Sequence, residues 1–259
     1  MPGLENSLDL RAMGGRRLGA YGIDAPGVVR NFAIIAGALL VVSAGSFALR
    51  IPVLPRLTLI GAVYCLATVG NLLYTTLAGK FAVWDEILDG LDLRGEETVL
   101  DLGCGRGAVL VAAAKRLTSG RAVGVDVWSG SDQSGNSPAT TLTNAQSEGV
   151  ADRLRVVTGD ATALPFCDGA FDVVVSSMAL HNIEDSTRRA VALAEVARVL
   201  RPGARLAIVD FMVVGRYPDV LRGQGLEDVR IRPLGWRFWY GGPWLGASLV
   251  TGVKGAPRA

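Results

Sequence analysis

The sequence is short of the residue types that most often carry metal and acid–base chemistry. Among 259 residues it has one histidine, His181, and three cysteines, Cys65, Cys104 and Cys167. One histidine excludes a histidine-rich metal site. The cysteines lie too far apart for metal-ligand spacing, so no metal is expected. Their odd, scattered count also argues against a disulfide framework and fits a reducing compartment. Charge is balanced: 26 Lys and Arg against 24 Asp and Glu leave a formal +2. No basic stripe is interleaved with aromatics, so no nucleic-acid partner is expected. Apolar residues are in surplus. They make up half the chain, and the mean hydropathy of +0.35 is high for a water-soluble enzyme.

That surplus is concentrated in two runs. Residues 31–49, NFAIIAGALLVVSAGSFAL, and residues 57–79, LTLIGAVYCLATVGNLLYTTLAG, carry no charged side chain. A helix rises about 1.5 Å per residue, so each run matches a hydrocarbon core of roughly 30 Å. Arg30 and Arg50 bracket the first run, Arg56 and Lys80 the second. The linker RIPVLPR contains Pro52 and Pro55, which cannot continue a helix. The pattern predicts a two-helix transmembrane hairpin over residues 28–80. Gly37, Ala44, Gly45, Gly61 and Gly70 would let its helices approach closely. The hairpin is also a candidate surface for self-association into a homo-oligomer. Buried core helices and a signal peptide are the competing readings. Core helices usually carry polar positions every few residues, and a signal peptide starts nearer the first residue. Arg11, Arg16, Arg17, Arg30 and Lys80 outnumber the linker's Arg50 and Arg56. The positive-inside rule therefore predicts a multi-pass membrane protein with both termini, and the catalytic domain, on the cytoplasmic side. Residues 1–27, rich in Gly, Arg and Pro, read as a flexible cytoplasmic arm.

From residue 81 to 259 short apolar strands alternate with helical segments. TVLDLG, AVGVDV, RLRVVTGD, FDVVVSSM and RLAIVDF read as strands. Helices are expected over 108–118, over 137–149 with Ser137 as N-cap and Pro138 at the first helical position, and from Ser186 to RPG. EDVRIRP and GASLVTGVKG close the domain, joined by the aromatic segment WRFWYGGPW. Alternation of this kind predicts an α/β, Rossmann-like, seven-stranded, mostly parallel sheet with helices on both faces. Ligands in such sheets bind beyond the carboxyl ends of the strands. Three successive strands end in acids here: Asp101, Asp126 and Asp160.

The first of these ends runs into a glycine loop, VLDLGCGRGAVL, which also satisfies a loose dinucleotide fingerprint. A dinucleotide would set its pyrophosphate over that loop, facing Asp101. Two like charges 4 Å apart repel by about 1 kcal/mol in water and about 4 at an effective dielectric of 20. A cofactor bearing an ammonium and a sulfonium is attracted instead. The glycines leave the cofactor open, and Asp101 favours the cation.

In order, VLDLGCGRG, VGVDV, GDATALPFCDGAFDVVVSSMALHNI and EVARVLRPGARLAIVD resemble the class I S-adenosylmethionine-dependent methyltransferases, in their small-molecule branch. The resemblance covers residues 97–210 and extends toward 255. It implies S-adenosylmethionine as cofactor and an enzyme that transfers its methyl group. It implies further that Asp101 meets the methionine ammonium, and that Gly103, Cys104, Gly105 and Gly107 admit the methionine backbone. Asp126 would take both ribose hydroxyls. Val127 and Trp128 would flank the adenine, and Asp160 would accept from its amino group with Ala161 beside it. Ser176 and Ser177 would line the fourth strand end. Plainer roles stand beside these. Cys104 reads as a loop filler, Cys167 as inert, Trp128 as a cover for the sheet edge and Asp160 as a turn cap. GSDQSGNSP, residues 130–138, is a linker or a lid.

Methyl transfer from a sulfonium is an in-line displacement, in which orientation alone can supply several kcal/mol. If the accepting atom carries a proton, His181 is the candidate catalytic base, and a structural histidine is its alternative. The fourth strand lacks the Asn/Asp-Pro-Pro-aromatic motif of amino-group methyltransferases of adenine and glutamine. The cysteines do not suit arsenite chemistry. A membrane tether favours a lipophilic small-molecule acceptor, with membrane lipids as partners. Trp236, Phe238, Trp239, Tyr240 and Trp244 would line an apolar pocket, meet the interface or form a packed hinge. A membrane-tethered protein methyltransferase, a non-catalytic S-adenosylmethionine-binding regulator and a dinucleotide enzyme are the alternatives.

Overall fold

A computed structural model of the chain describes residues 17–130 and 135–256. Its centre is one seven-stranded sheet: β1 (Thr98–Leu102), β2 (Arg121–Asp126), β3 (Leu154–Thr158), β4 (Phe171–Ser177), β5 (Leu200–Asp210), β6 (Leu226–Pro233) and β7 (Ser248–Lys254). The strand order is β3-β2-β1-β4-β5-β7-β6, and β7 alone runs antiparallel to its neighbours. The expected Rossmann-like, mostly parallel fold is what forms. Strand order reverses between β1 and β4, and there the carboxyl ends open a crevice. β1 and β4 are buried on both faces, which is why they read as near-continuous apolar runs.

Helices cover both faces. On one lie α3 (Lys80–Gly90), α4 (Ala108–Ala114) and α5 (Pro138–Ser147), sharing a core with Val99, Val173 and Val175. On the other lie α6 (Ser186–Val199) and α7 (Tyr217–Gly223), packed on Leu100, Val174 and Ile208. Ser137 caps α5 as expected, accepting from the Thr140 N–H at 3.1 Å. The cap of α6 is Asp185 rather than Ser186, because its carboxylate reaches the Thr187 N–H at 2.6 Å. α4 stops at Ala114, short of the expected Thr118. α3 and α7 carry weak sequence signals and were not expected.

Before the sheet stands an antiparallel pair, α1 (Pro26–Ala48) and α2 (Leu54–Tyr74). Both helices are long and apolar enough to cross a membrane. Only 6% of the most apolar window of α1 is buried, and 28% of that of the second helix, so neither is a core helix of the domain. The Ser43 hydroxyl donates to the Pro55 carbonyl at 2.8 Å and clips the turn. The small-residue stripe is thinner than expected. A Cβ on Gly61 would come within 3.1 Å of Leu39, but Gly37, Gly45 and Gly70 face open space. The seam is made instead by buried Ala36, Ser46, Ala62 and Cys65.

The second apolar run does not end at Lys80. Helix continues from Leu54 to Gly90, widening into a π turn at Thr75–Gly79. Lys80, counted above as a flanking charge, is buried against Asp24, with Nζ 2.9 and 3.0 Å from its two oxygens. The aromatic segment 236–245 lies along the α2 helix. Thr68 and Thr75 donate to the carbonyls of Gly241 and Trp239 at 3.4 and 2.7 Å, while Trp244 stacks on Tyr64 and Trp236 on Tyr74. Residues 1–16 of the expected arm lie outside the described residues. Residues 18–21 are fastened rather than free. Leu18 N–H and Gly19 N–H donate to Glu148 at 3.0 and 2.9 Å, and Ala20 N–H to Asn144 at 2.8 Å.

Gly79 shows how closely the aromatic segment approaches the helix. A Cβ there would sit 2.2 Å from the Arg237 carbonyl oxygen, a backbone atom that cannot swing aside. Gly79→Ala is expected to lift the segment off the helix and cost about 1–3 kcal/mol. Thermal unfolding and tryptophan emission of the detergent-solubilised protein check this, and an unchanged midpoint and spectrum would contradict the packing.

Candidate active site

The switch point opens into a cavity of about 620 Å³. Its floor is the glycine loop after β1. Gly103 has φ +70°, and a Cβ there would fall 2.2 Å from the Ala179 Cβ, so the loops after β1 and β4 meet only because residue 103 has no side chain. Gly107, at φ +83°, turns the chain into α4.

Asp101 closes β1 with 1% of its surface exposed, and among the described residues neither carboxylate oxygen has a hydrogen-bond partner. Burial, reinforced by the nearby Asp126, pushes its carboxyl up to about 8. Leaving such a group unpaired is costly, and it points to a missing donor. Asp126 closes β2 in the opposite condition. Oδ2 accepts from the Gly105 N–H at 2.8 Å and Oδ1 from the Trp128 N–H at 2.6 Å. Those bonds aim the carboxylate across the loop and leave lone pairs for a ligand.

Of the residues expected around the ligand, Asp101, Gly103, Cys104, Gly105, Asp126, Val127, Asp160, Ala161, Ser177 and His181 line the cavity. Gly107, Trp128 and Ser176 do not. Gly107 is taken up by the helix start. Trp128 turns away through a left-handed backbone (φ +61°), and its indole donates to Thr158 Oγ1 at 2.8 Å. Ser176 is buried within the sheet and donates to the Leu102 carbonyl at 2.9 Å. Asp160 is a turn cap. Its Oδ1 accepts from the Thr162 N–H and hydroxyl at 2.8 Å each, and Oδ2 pairs with Arg188 at 3.1 Å. The Thr162 bonds hold its carboxyl below the usual range. Burial pushes the Cys104 thiol well up, which suits a filler against Gly124. In the 130–138 segment, residues 131–134 lie outside the described residues.

Of the far wall, sequence reasoning named Tyr240 as a pocket candidate and missed Tyr21, Asp24, Phe81, Trp84 and Phe211. All six line the cavity and come from four separate segments. The Trp84 indole donates to Ser177 Oγ at 2.9 Å, pinning α3 to the end of β4. Tyr240 donates to Asp24 at 3.3 Å, beside the Lys80 pair, and burial and Asp24 push its phenol well up. Asp210, at the end of β5, was also missed. It is wholly buried, 2.7 Å from His181 Nδ1.

Residues 100–208 match the family described as a methyltransferase domain. The ubiquinone/menaquinone biosynthesis C-methyltransferase UbiE of Dinoroseobacter shibae is 37% identical over 134 residues, which are 51% of this chain and 50% of that protein. The chain thus spans about half the length of the curated relatives it matches first. Among solved structures, a geranyl diphosphate methyltransferase in complex with S-adenosylmethionine superposes with TM-score 0.54 at 17% identity, covering 67% of this chain and 85% of that one. The [4+2]-cyclase SpnF superposes with TM-score 0.52 at 22% identity, covering 66% and 82%. S-Adenosylmethionine is the cofactor these matches indicate, and the residues fit it: an unpaired buried carboxylate awaits a cation, and a second lies one strand away.

The linkage sign for Asp101 follows from its raised value. Between the ordinary 3.8 and about 8 the folded protein keeps a proton that the unfolded chain has lost. Ligand-free stability therefore falls as pH rises through that window, by on the order of a few kcal/mol in all. Asp101→Asn should melt higher than wild type at pH 8 without ligand, yet bind S-adenosylmethionine at least about tenfold more weakly. Wild-type affinity should rise up to about tenfold per pH unit until Asp101 is ionised, and the variant's should not. Calorimetry across pH decides it, and parallel profiles for the two proteins would refute the assignment.

Proposed function

We propose that this chain, which carries an S-adenosylmethionine-dependent methyltransferase domain, methylates a small lipophilic acceptor while its apolar hairpin holds it on a membrane. One observation carries the reading. The cavity runs from the glycine loop to the foot of the hairpin, where Ala25 precedes α1 and Phe81, Trp84, Phe211 and Tyr240 supply an aromatic wall. The half beside the strand ends is polar and suits the cofactor. The half beside the hairpin carries the aromatic wall together with the Asp24–Lys80 pair, and suits an acceptor with an apolar body and a polar edge arriving from lipid.

The hairpin's geometry supports the membrane half of the reading. Between Arg30 and Arg50 the α1 side carries 19 uncharged residues, about 28 Å of helix against a hydrocarbon core of roughly 30 Å. Ile34, Val41, Phe47, Ile60 and Val63 are among its exposed side chains. Trp236 and Trp244, both exposed, sit on the segment that flanks α2, and tryptophan favours the membrane–water boundary. In this reading the catalytic domain faces the cytoplasm and membrane lipids cover the helices. The similar UbiE protein is a C-methyltransferase of ubiquinone/menaquinone biosynthesis, which agrees with a small-molecule acceptor.

S-Adenosylmethionine, when bound, supplies a methyl group already activated on a sulfonium. What the chain adds is placement. Asp101 and Asp126 hold the polar end, the aromatic wall excludes water, and His181 lies beside Ala179, which abuts the glycine loop. In this reading His181, which lines the cavity, takes a proton from the acceptor.

Labelled methyl from S-adenosylmethionine should pass into the organic phase of a membrane extract and not into a delipidated soluble extract. Label confined to protein would support the protein-methyltransferase alternative, and label confined to water-soluble metabolites would remove the lipophilic acceptor. His181→Ala should lower kcat by about a hundredfold at unchanged cofactor affinity. Unchanged turnover would take His181 out of the reaction.

A further inference from the structure

We infer that His181 and Asp210 form a base dyad in which Asp210 is a positioning residue, and that the accepting atom of the substrate therefore carries a proton that must be removed. The inference rests on the methyl-transfer reading above and deepens it.

Asp210 ends β5, next to β4 in the sheet, and none of its surface is exposed. Four donors surround its carboxylate. Oδ1 faces His181 Nδ1 at 2.7 Å and the Phe211 N–H at 2.9 Å. Oδ2 faces the His181 N–H at 3.0 Å and the Tyr217 hydroxyl at 3.1 Å. Two of these are backbone N–H groups, which can only donate. A carboxylate so placed accepts, so the imidazole keeps its proton on Nδ1. Nε2 makes no hydrogen bond among the described residues, and the ring lines the cavity. It is left as a bare lone pair on the acceptor side. Phe211 meets the ring at 4.6 Å and 65°, fixing its plane.

The backbone supports a demand beyond packing. The loop carrying His181 leaves β4 through Met178 at φ +55°, and the chain leaves Asp210 through Met212 at φ +61°. Left-handed backbone is unfavourable for a non-glycine residue, and here it shapes the turn that follows each of the two strands. A histidine serving only to satisfy a carbonyl would need no buried acid behind it.

The chemistry balances as follows. The acceptor's O–H, N–H or acidified C–H gives its proton to Nε2. The pair so released forms the new bond to the methyl carbon, the carbon–sulfur pair stays on sulfur, and the imidazolium returns the proton to water. Asp210 steadies the transient imidazolium without taking its proton. An acceptor atom with no removable proton, such as a thioether sulfur, would have no use for the dyad. The expected class is an enol, phenol or hydroquinone, or a carbon made acidic by one.

His181 is the chain's one histidine, so ¹⁵N-histidine labelling gives a single imidazole signal set. Long-range ¹H–¹⁵N spectra of the full-length protein in detergent, above the pH at which the ring titrates, should show the Nδ1–H tautomer. In Asp210→Asn an amide N–H can face the ring, and the Nε2–H tautomer should gain. The same variant should lose about a hundredfold or more in kcat, with acceptor KM and cofactor affinity within about twofold. Tyr217→Phe, which keeps the His181–Asp210 bond, should retain the wild-type tautomer and most of kcat. The Nε2–H tautomer in wild type would overturn the dyad without any variant. So would an Asp210→Asn protein that folds, shifts its tautomer and turns over normally. If no acceptor is ever methylated but the tautomer is as stated, the methyl-transfer reading fails and the dyad's geometry stands.

Discussion

Everything in the site is arranged around one buried carboxyl group that has no hydrogen-bond partner among the described residues and resists ionisation until a cation arrives. Asp101 sits at the end of the central strand, flanked by β2 and β4 and covered by the glycine loop. An acid in that position destabilises the ligand-free protein, since burial and Asp126 both oppose its ionisation. The sheet tolerates it because β1 is held on both edges and packed on both faces. A rigid frame can keep an unsatisfied group in place where a loop would rearrange to solvate it. The bare carboxylate is thus a stored demand for a cation, and it selects against a pyrophosphate in the same loop.

The hairpin and the domain are joined at a partly buried ion pair, a carboxylate treated in the opposite way. Asp24 receives Lys80 and Tyr240, three groups from the strap before α1, from α3 and from the aromatic segment. Buried ion pairs contribute little net stability, but losing one member is severe because it strands the other. Their value is in fixing geometry, and here three segments distant in sequence meet at one carboxylate. Glu148 does the same for the strap, accepting from Leu18, Gly19, Tyr21 and Lys115. The cavity's far wall is therefore tied together, although it is drawn from the strap, one helix and two loop segments.

The sheet was legible in the sequence because its strands are short apolar runs ending in glycine or acid, and its crossovers carry caps and stops. The polar half of the site was legible for the same reason: Asp101, Asp126 and the glycine loop sit where strands end. Two expected residues do not reach the cavity, because local pattern is silent about direction. Ser176 and Ser177 are neighbours on one strand, so only one can face the cavity, and the alternation alone did not say which. Trp128 was lost to a left-handed turn that its residue type does not announce. Asp160 was readable as a ligand or as a cap, and it caps the turn at Thr162 while lining the cavity. Tyr240 was named with its aromatic segment, but its companions Tyr21, Phe81 and Phe211 were illegible because the wall is joined only by tertiary contacts.

That division bears on what relatives can teach about the acceptor. The family match covers residues 100–208, which includes the glycine loop, Asp126, Asp160 and His181. Tyr21, Asp24, Phe81, Trp84, Phe211 and Tyr240 lie outside it, as does Asp210. The polar floor of the cavity and His181 thus lie inside the family match, and the aromatic wall with Asp210 lies outside it. SpnF, a cyclase on the same fold, shows that the shared part does not by itself dictate the reaction. What a relative methylates is therefore a weak guide here. The better guide is the wall itself: aromatic, tied together at Asp24 and Glu148, and set against the foot of an apolar hairpin. Under the proposed reading it suits a flat, largely apolar molecule with a polar edge, presented to the one histidine in the chain.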